Sequence, residues 1–216
     1  MDEARRAIDE AGADRVLALV LEPVYQATGR AVPQEFWPKL RALADETGVP
    51  LVVLENASAS YRSGLGAFRS ASLPVPVDAL WWYPGGQAGF VFLSDSLYVP
   101  DKLTLISTWA GDEVALTRML WDTRVARRMP VAQRAARLRS ILGALGDVDG
   151  EGLYLSVRTT NDDEAAGALL DRGIGVGRAT DGALLFVPPL DITDAELDRV
   201  STAVADVSAS LLGGSP

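Results

Sequence analysis

A mixed α/β fold, a parallel-type sheet followed by a smaller α+β part, is predicted by three observations. Residues 16–21 (VLALVL) and 50–54 (PLVVL) are continuous apolar runs of strand length, as expected for strands buried on both faces. Between them, Phe36, Leu40, Leu43 and Ala44 recur at helical spacing. After Gly111 the pattern changes to two helical stretches and then to short strands and helices in alternation.

The elements follow in order. The first helix covers 33–47 and ends at Gly48, with Pro38 near its start, where proline is tolerated. Strand, helix and strand in this order with a short return make a parallel right-handed crossover. Residues 56–71 are small and polar, a loop containing Gly64 and Gly66. Residues 77–83 and 90–93 are two more short strands around Pro84-Gly85-Gly86, and the four strands are expected to form one sheet. Helices follow at 113–128 and 131–145, separated by Pro130. Residues 152–157 read as an alternating strand, 163–171 as a short helix, and 183–187 as a strand stopped by Pro188 and Pro189. Thr193 with Glu196 three residues on forms a capping box for a last helix to about Leu212. Residues 213–216 read as a frayed tail. The expected division is 1–111, a first α/β domain; 112–145, connecting helices; and 146–216, a small α+β domain.

Composition narrows the chemistry. The chain has no histidine, no cysteine and only two lysines, Lys39 and Lys102. A Ser-His-Asp triad, a Cys-His pair and a Cys/His zinc site are therefore excluded within it. The net charge of −9 without a basic run argues against nucleic acid or an anionic membrane as partner. No apolar run approaches a membrane span, and the charged start Met1-Asp2-Glu3-Ala4-Arg5-Arg6 lacks a signal-peptide core. Absence of cysteine fits a cytoplasmic location.

Several motifs read more simply than they first look. Trp81, Trp82 and Tyr83 alternate faces of a strand and are expected to serve core and interface packing rather than ligand stacking. Pro84-Gly85-Gly86 is a turn rather than a phosphate loop. Gly173-Ile174-Gly175-Val176-Gly177 sits between a helix and a strand, the wrong order for a dinucleotide loop. Asn161-Asp162-Asp163-Glu164 is an acid-rich helix start, and Arg124, Arg127 and Arg128 form a solvated helix face.

Taken in order, the elements resemble the C-terminal half of class III aminotransferases, most closely the lysine 6-aminotransferase group. Glu22-Pro23-Val24 resembles the family's Glu-Pro-Ile/Val after a core strand. Residues 36–45 resemble the helix that follows, and 51–55 the strand ending in Asp-Glu. Ser107-Thr108-Trp109-Ala110-Gly111-Asp112 resembles Ser-Thr-Trp-Gly-Gly-Asn, and Phe186-Val187-Pro188-Pro189-Leu190 the family's Arg-Pro-Pro-Leu segment. The resemblance implies part of the large-domain sheet of a pyridoxal-phosphate (PLP) transferase, followed by its small domain.

At the positions where this family carries catalytic groups, the residues differ. The Schiff-base lysine position falls at Pro84, or at Tyr83 if the gap shifts. The aspartate that pairs the cofactor's ring nitrogen falls at Leu54, with Glu55 beside it pointing to the other side of the strand. The glutamine at the ring oxygen falls at Ala57. The gating glutamate falls at Ala27 and its arginine partner at Leu185, a loss that makes sense as a pair because either charge alone would be buried unpaired. The family's N-terminal half, with its phosphate cradle, has no counterpart in this sequence.

One feature is kept: the Ser-Thr pair, Ser107 and Thr108. In the family this hydroxyl binds the phosphate of the partner subunit's PLP. Capping of the helix near Asp112 is the competing role for Thr108. The expectation is a truncated, inactive aminotransferase-like protein with no catalytic residue and no PLP in the isolated chain, PLP being held only by a partner subunit. It is expected to be a homo- or hetero-oligomer and to complete or stabilise a class III aminotransferase chain. The alternatives are a transaminase half active only with a complementary chain, and a binding or scaffold protein that keeps the fold.

Overall fold

The computed structural model describes residues 1–84, 88–101 and 111–213. Two four-stranded sheets organise them. The first has strand order β1 (Leu19–Leu21), β2 (Leu51–Leu54), β3 (Ala79–Trp82), β4 (Phe90–Leu93). β1–β2 and β2–β3 are parallel, and β4 closes the edge antiparallel to β3. The four predicted strands thus share one sheet.

Helix α1 (Asp2–Ala11) precedes this sheet, and α2 (Phe36–Thr47) links β1 to β2. Alpha2 buries Trp37, Leu40 and Ala44 against Leu51 and Val53, while Ile8 of α1 packs on Leu43 and Val49. Gly48 ends α2 in the left-handed conformation, φ 71°, with its N–H on the carbonyl of Ala44. Alpha1 was not legible because Ile8 is its single buried residue.

The first strand differs from expectation. It is three residues long rather than six, and Leu17 and Val20 are exposed instead of buried. The register gives the reason. Val20 pairs with Val52, Val52 with Ala79 and Ala79 with Leu93, while Leu54 pairs with Trp81 and Trp81 with Val91. Paired residues share a face, so Val20, Trp81, Val91 and Leu93, all at least 40% exposed, lie on one side. The helices and the core occupy the other side.

Helix α3 (Glu113–Ala126) and α4 (Val131–Leu142) lead to the second sheet, order β5 (Asp147–Glu151), β6 (Tyr154–Arg158), β8 (Leu184–Phe186), β7 (Gly177–Arg178), all antiparallel. Alpha5 (Asp162–Asp171) and α6 (Asp194–Gly213) complete it. Leu138 and Leu142 of α4, Leu155 and Val157 of β6, Leu169 of α5 and Leu197, Val204 and Val207 of α6 form its core.

β6 is not the alternating strand expected. Tyr154 to Val157 are all buried, because helices cover one face and the 22–31 loop covers the other. β5 (DVDGE) and β7 (GR) carry no apolar pattern and are recruited by pairing with their neighbours. The capping box is present: Thr193 Oγ1 accepts from the Glu196 N–H at 3.2 Å, and the Glu196 carboxylate accepts from the Thr193 N–H at 2.7 Å. Gly213 belongs to α6 rather than to the expected tail; residues 214–216, like Ser107 and Thr108, lie outside the described residues.

Candidate functional site

The residues singled out by the sequence go to three different surroundings. Leu54 ends β2 half-buried, on the open side of the first sheet, in register with Trp81. Pro84 and Tyr83 follow β3 and line a cleft of about 770 Å³. Ala57 and Leu185 are buried together in an apolar cluster with Val24, Tyr154, Ala179 and Ala183. Leu54, Pro84 and the Ala57–Leu185 pair thus have different immediate neighbours.

The apolar cluster is built by the loop between β1 and α2. This loop folds back on itself, Val24 bridging Ala31, and the Glu22 carboxylate accepts the Gln26 N–H at 2.6 Å. It lies across β6 and β8: Tyr154 Oη donates to the Gln26 carbonyl at 2.7 Å, and the Ser156 hydroxyl to the Gly29 carbonyl at 3.3 Å. The carbonyl of Ala27, itself exposed, accepts from the Thr180 N–H at 2.8 Å. At the rim, Asp181 pairs with Arg30 at 2.6 Å and Arg158 at 3.1 Å. Burial works against ionisation of Asp181, but the Ala183 N–H and both arginines outweigh it and hold its pKa below the usual range. Burial, with Glu22 nearby, raises the Tyr154 pKa, so this phenol stays protonated as a donor.

Glu55 is fully buried. Its carboxylate accepts the Ser58 hydroxyl and the Ser70 N–H, both at 2.5 Å, and so fastens both ends of the loop that follows β2. Its acceptors are committed to holding that loop. Helix α3 is capped by Asp112, whose Oδ1 accepts from Val114 N–H at 3.0 Å and Ala115 N–H at 3.2 Å. Asn161 caps α5 through the Glu164 N–H at 3.3 Å, the helix-start role expected of that acidic run. Arg124, Arg127 and Arg128 are exposed, and Arg124 lies over the Trp121 ring at 5.3 Å.

The cleft holds a residue that sequence reasoning passed over. Arg62 lies with Asn56 and Ser60 on one wall, facing Arg118, Met119 and Thr123 of α3. One guanidinium nitrogen donates to the carbonyls of Pro188 at 2.7 Å and Leu153 at 3.2 Å. Burial lowers its pKa, with Tyr154 acting weakly the other way. The available signal was an isolated arginine within the small polar segment Ser58-Ala59-Ser60-Tyr61-Arg62-Ser63-Gly64.

No family model matches the sequence. Over 91% of its length the chain is 29% identical to a diaminobutyrate–2-oxoglutarate aminotransferase from Rhizobium meliloti, and over 92% it is 27% identical to an ornithine aminotransferase from Staphylococcus carnosus. It covers 49% and 53% of those proteins. The chain thus spans about half the length of the curated relatives it matches. Among solved structures, an (S)-selective ω-transaminase from Thermomicrobium roseum superposes with a TM-score of 0.80 at 25% identity, over 98% of this chain and 55% of that one. An S-selective transaminase from Arthrobacter sp. gives 0.84 at 20% identity, a likeness of fold alone. The homologues are aminotransferases, and the mixed α/β architecture is part of the PLP-transaminase fold.

Among the described residues, those that line the cleft supply no primary amine and so do not fit PLP held as an imine. Holding the aldehyde requires a primary amine. The one lysine among the described residues, Lys39, is exposed on α2 and does not line the cleft. Leu54 offers no carboxylate to a protonated ring, and Glu55 is committed to Ser58 and Ser70. Leu185, in its apolar cluster, offers no cation to a substrate carboxylate.

Proposed function

We propose that this chain is a noncatalytic, aminotransferase-like subunit that completes or stabilises a class III aminotransferase chain carrying the chemistry. The observation that carries this reading is the fate of the replaced positions. Pro84, Leu54, Ala57, Ala27 and Leu185 are chemically inert, and Ala57 and Leu185 are built into core packing. Selection for packing there is incompatible with a substrate-carboxylate clamp, which needs a paired or solvated charge.

The assembly is supported by the open side of the first sheet. Val20, Trp81, Val91 and Leu93 present adjacent apolar side chains where a helix layer ordinarily lies. The net charge of −9 disfavours nucleic acid as the occupant. Among the described residues no helix is long and apolar enough to cross a membrane. In this reading Thr108 supplies a hydroxyl to the phosphate of the partner's PLP, and the lysine 6-aminotransferase group is the one that the order of the elements resembles most.

The test is co-expression with a class III aminotransferase chain, purification through a tag on this chain, and borohydride reduction of the complex with peptide mapping. The expected result is a reduced cofactor on the partner's lysine and none on Lys39 or Lys102. Stoichiometric labelling of one lysine of this chain, with a visible imine band, would overturn the noncatalytic reading and favour a working half-enzyme. Failure of any aminotransferase chain to co-purify would leave the scaffold alternative.

A further inference from the structure

Arg62 is a mostly buried cation without a counter-charge. Among the described residues no carboxylate forms an ion pair with it; its protein acceptors are the neutral carbonyls of Pro188 and Leu153. A buried charge left unpaired is strongly destabilising, so such a group is expected to meet an anion. Arg62 is one of the residues that line the cleft.

The backbone is arranged to hold it there. Ser60 and Tyr61, just before it, both take the left-handed conformation, φ 57° and 66°. That is uncommon for side chains other than glycine and asparagine, and costs on the order of 1 kcal/mol per residue. The β5–β6 turn is seated on the same segment: the Leu153 N–H donates to the Arg62 carbonyl at 2.9 Å, and a Cβ on Gly152 would meet that oxygen at 1.9 Å. Arg62 is thus held against the second sheet at the wall of the cleft.

We propose that this cleft is a receptor for a small organic anion, a carboxylate or phosphate monoester on an apolar body, with Arg62 as its charge anchor. The volume suits such a ligand. Trp82, Met119 and Leu190 supply apolar wall, and Asn56, Ser60 and Thr123 supply neutral hydrogen-bonding groups. Arg118 stands at the rim, held only by Asp122 at 3.6 Å with both side chains more than 70% exposed, so it is free to turn to a ligand. Asp122 and Asp191, also at the rim, disfavour polyanions. The site does not depend on the subunit reading: Tyr83 and Pro84 line the cleft, but its anchor, Arg62, is none of the replaced aminotransferase positions.

Calorimetric titration of the purified full chain with benzoate, phenyl phosphate and neutral benzamide tests it. One of the two anions should bind saturably and raise the melting temperature, its identity separating carboxylate from phosphate, while benzamide should bind at least about tenfold more weakly. Arg62→Gln should lose about tenfold or more in anion affinity. That variant also gives up the bonds to Pro188 and Leu153, so Thr123→Trp is the companion. It blocks the cleft from α3 without touching Arg62, and should abolish binding at an unchanged melting temperature. Benzamide binding as tightly as the anions, no saturable binding of either anion, or full affinity in Thr123→Trp would each overturn the proposal.

Discussion

Leu185 occupies the space that a side chain on residue 29 would need. A Cβ built on Gly29 falls 2.6 Å from Leu185 Cδ2 and 2.9 Å from Ser156 Cβ, and Gly29 holds φ at 67°. The loop that carries Ala27 therefore lies directly on the strand position where the resemblance expects a substrate-binding arginine. The packing leaves no gap for a substrate carboxylate between them.

This contact predicts a coupled pair. Gly29→Ala should cost about 2–3 kcal/mol, from overpacking and from the left-handed backbone together. Leu185→Ala should cost about 2–3 kcal/mol through the cavity it leaves. The double variant should cost clearly less than the sum, because truncating Leu185 makes room for the new methyl. Denaturant melts of the four proteins measure this; strict additivity would mean the two residues do not meet.

Rebuilding one catalytic group should not rebuild the enzyme. Pro84→Lys still lacks a ring carboxylate at Leu54 and a clamp at Leu185, and groups that act as a unit are not restored singly. The expected outcome is no turnover of lysine with 2-oxoglutarate by that variant without a partner. Measurable turnover would show that the positional correspondence is wrong.

Asp78 sets an acid limit on the first sheet. It accepts from the Leu51 N–H at 2.8 Å and from Arg41 at 2.7 Å, joining β2, β3 and α2. Burial opposes its ionisation, yet those two donors hold its pKa below the ordinary value. A folded pKa below the unfolded value, about 3.9 for aspartate, gives stability that is complete above the unfolded value. It is lost as pH falls through the folded value. Asp78→Asn should therefore lose about 1 kcal/mol at neutral pH, discounted for the quarter of the side chain that is exposed. The difference from wild type should shrink as pH falls below about 4. A constant difference across the acid range would assign the effect to packing.

Thr108 tests the subunit reading from the other chain's cofactor. Thr108→Val keeps shape and removes the hydroxyl, and should weaken PLP retention by the co-purified complex about tenfold. Because Asp112 supplies the cap of α3, the melting temperature of the free chain should not move. Equal cofactor affinities would remove the cross-subunit role.

Elements with a marked pattern of their own were legible in the sequence: α2 through the spacing of Leu40, Leu43 and Ala44, β2 through its apolar run, although only Leu51 and Val53 of it are fully buried, and α6 through its capping box. Elements defined by their neighbours were not. β7 (GR) and β5 (DVDGE) carry no pattern of their own, and β1 reads as doubly buried because sequence cannot show which faces a fold leaves open. The site shows the same division. The inert residues at 54, 84 and 185 were readable one by one, but the packing of Leu185 on Gly29 depends on a loop more than 150 positions away in sequence. The isolation of Arg62 is a property of tertiary burial, invisible in a polar segment that looks like any surface loop.

The last prediction concerns the open side of the first sheet. Trp81 and Val91 are opposite each other on β3 and β4, 53% and 62% exposed, with Val20 and Leu93 on the same side. A contiguous apolar surface on a sheet is costly in water and is relieved by association. The chain alone should therefore self-associate or bind an apolar dye at micromolar concentrations, and a class III aminotransferase chain should displace both. Trp81→Glu and Val91→Glu place charge on that face without touching the buried side occupied by Leu80 and Trp82. Each should reduce association at least about tenfold, since burying an unpaired carboxylate at an interface costs several kcal/mol, with little change in the melting temperature of the monomer. Light scattering over a dilution series, with wild type and both variants in parallel, makes the comparison. A wild-type chain that stays monomeric and dye-free throughout, or variants that associate as well as wild type, would place the partner surface elsewhere.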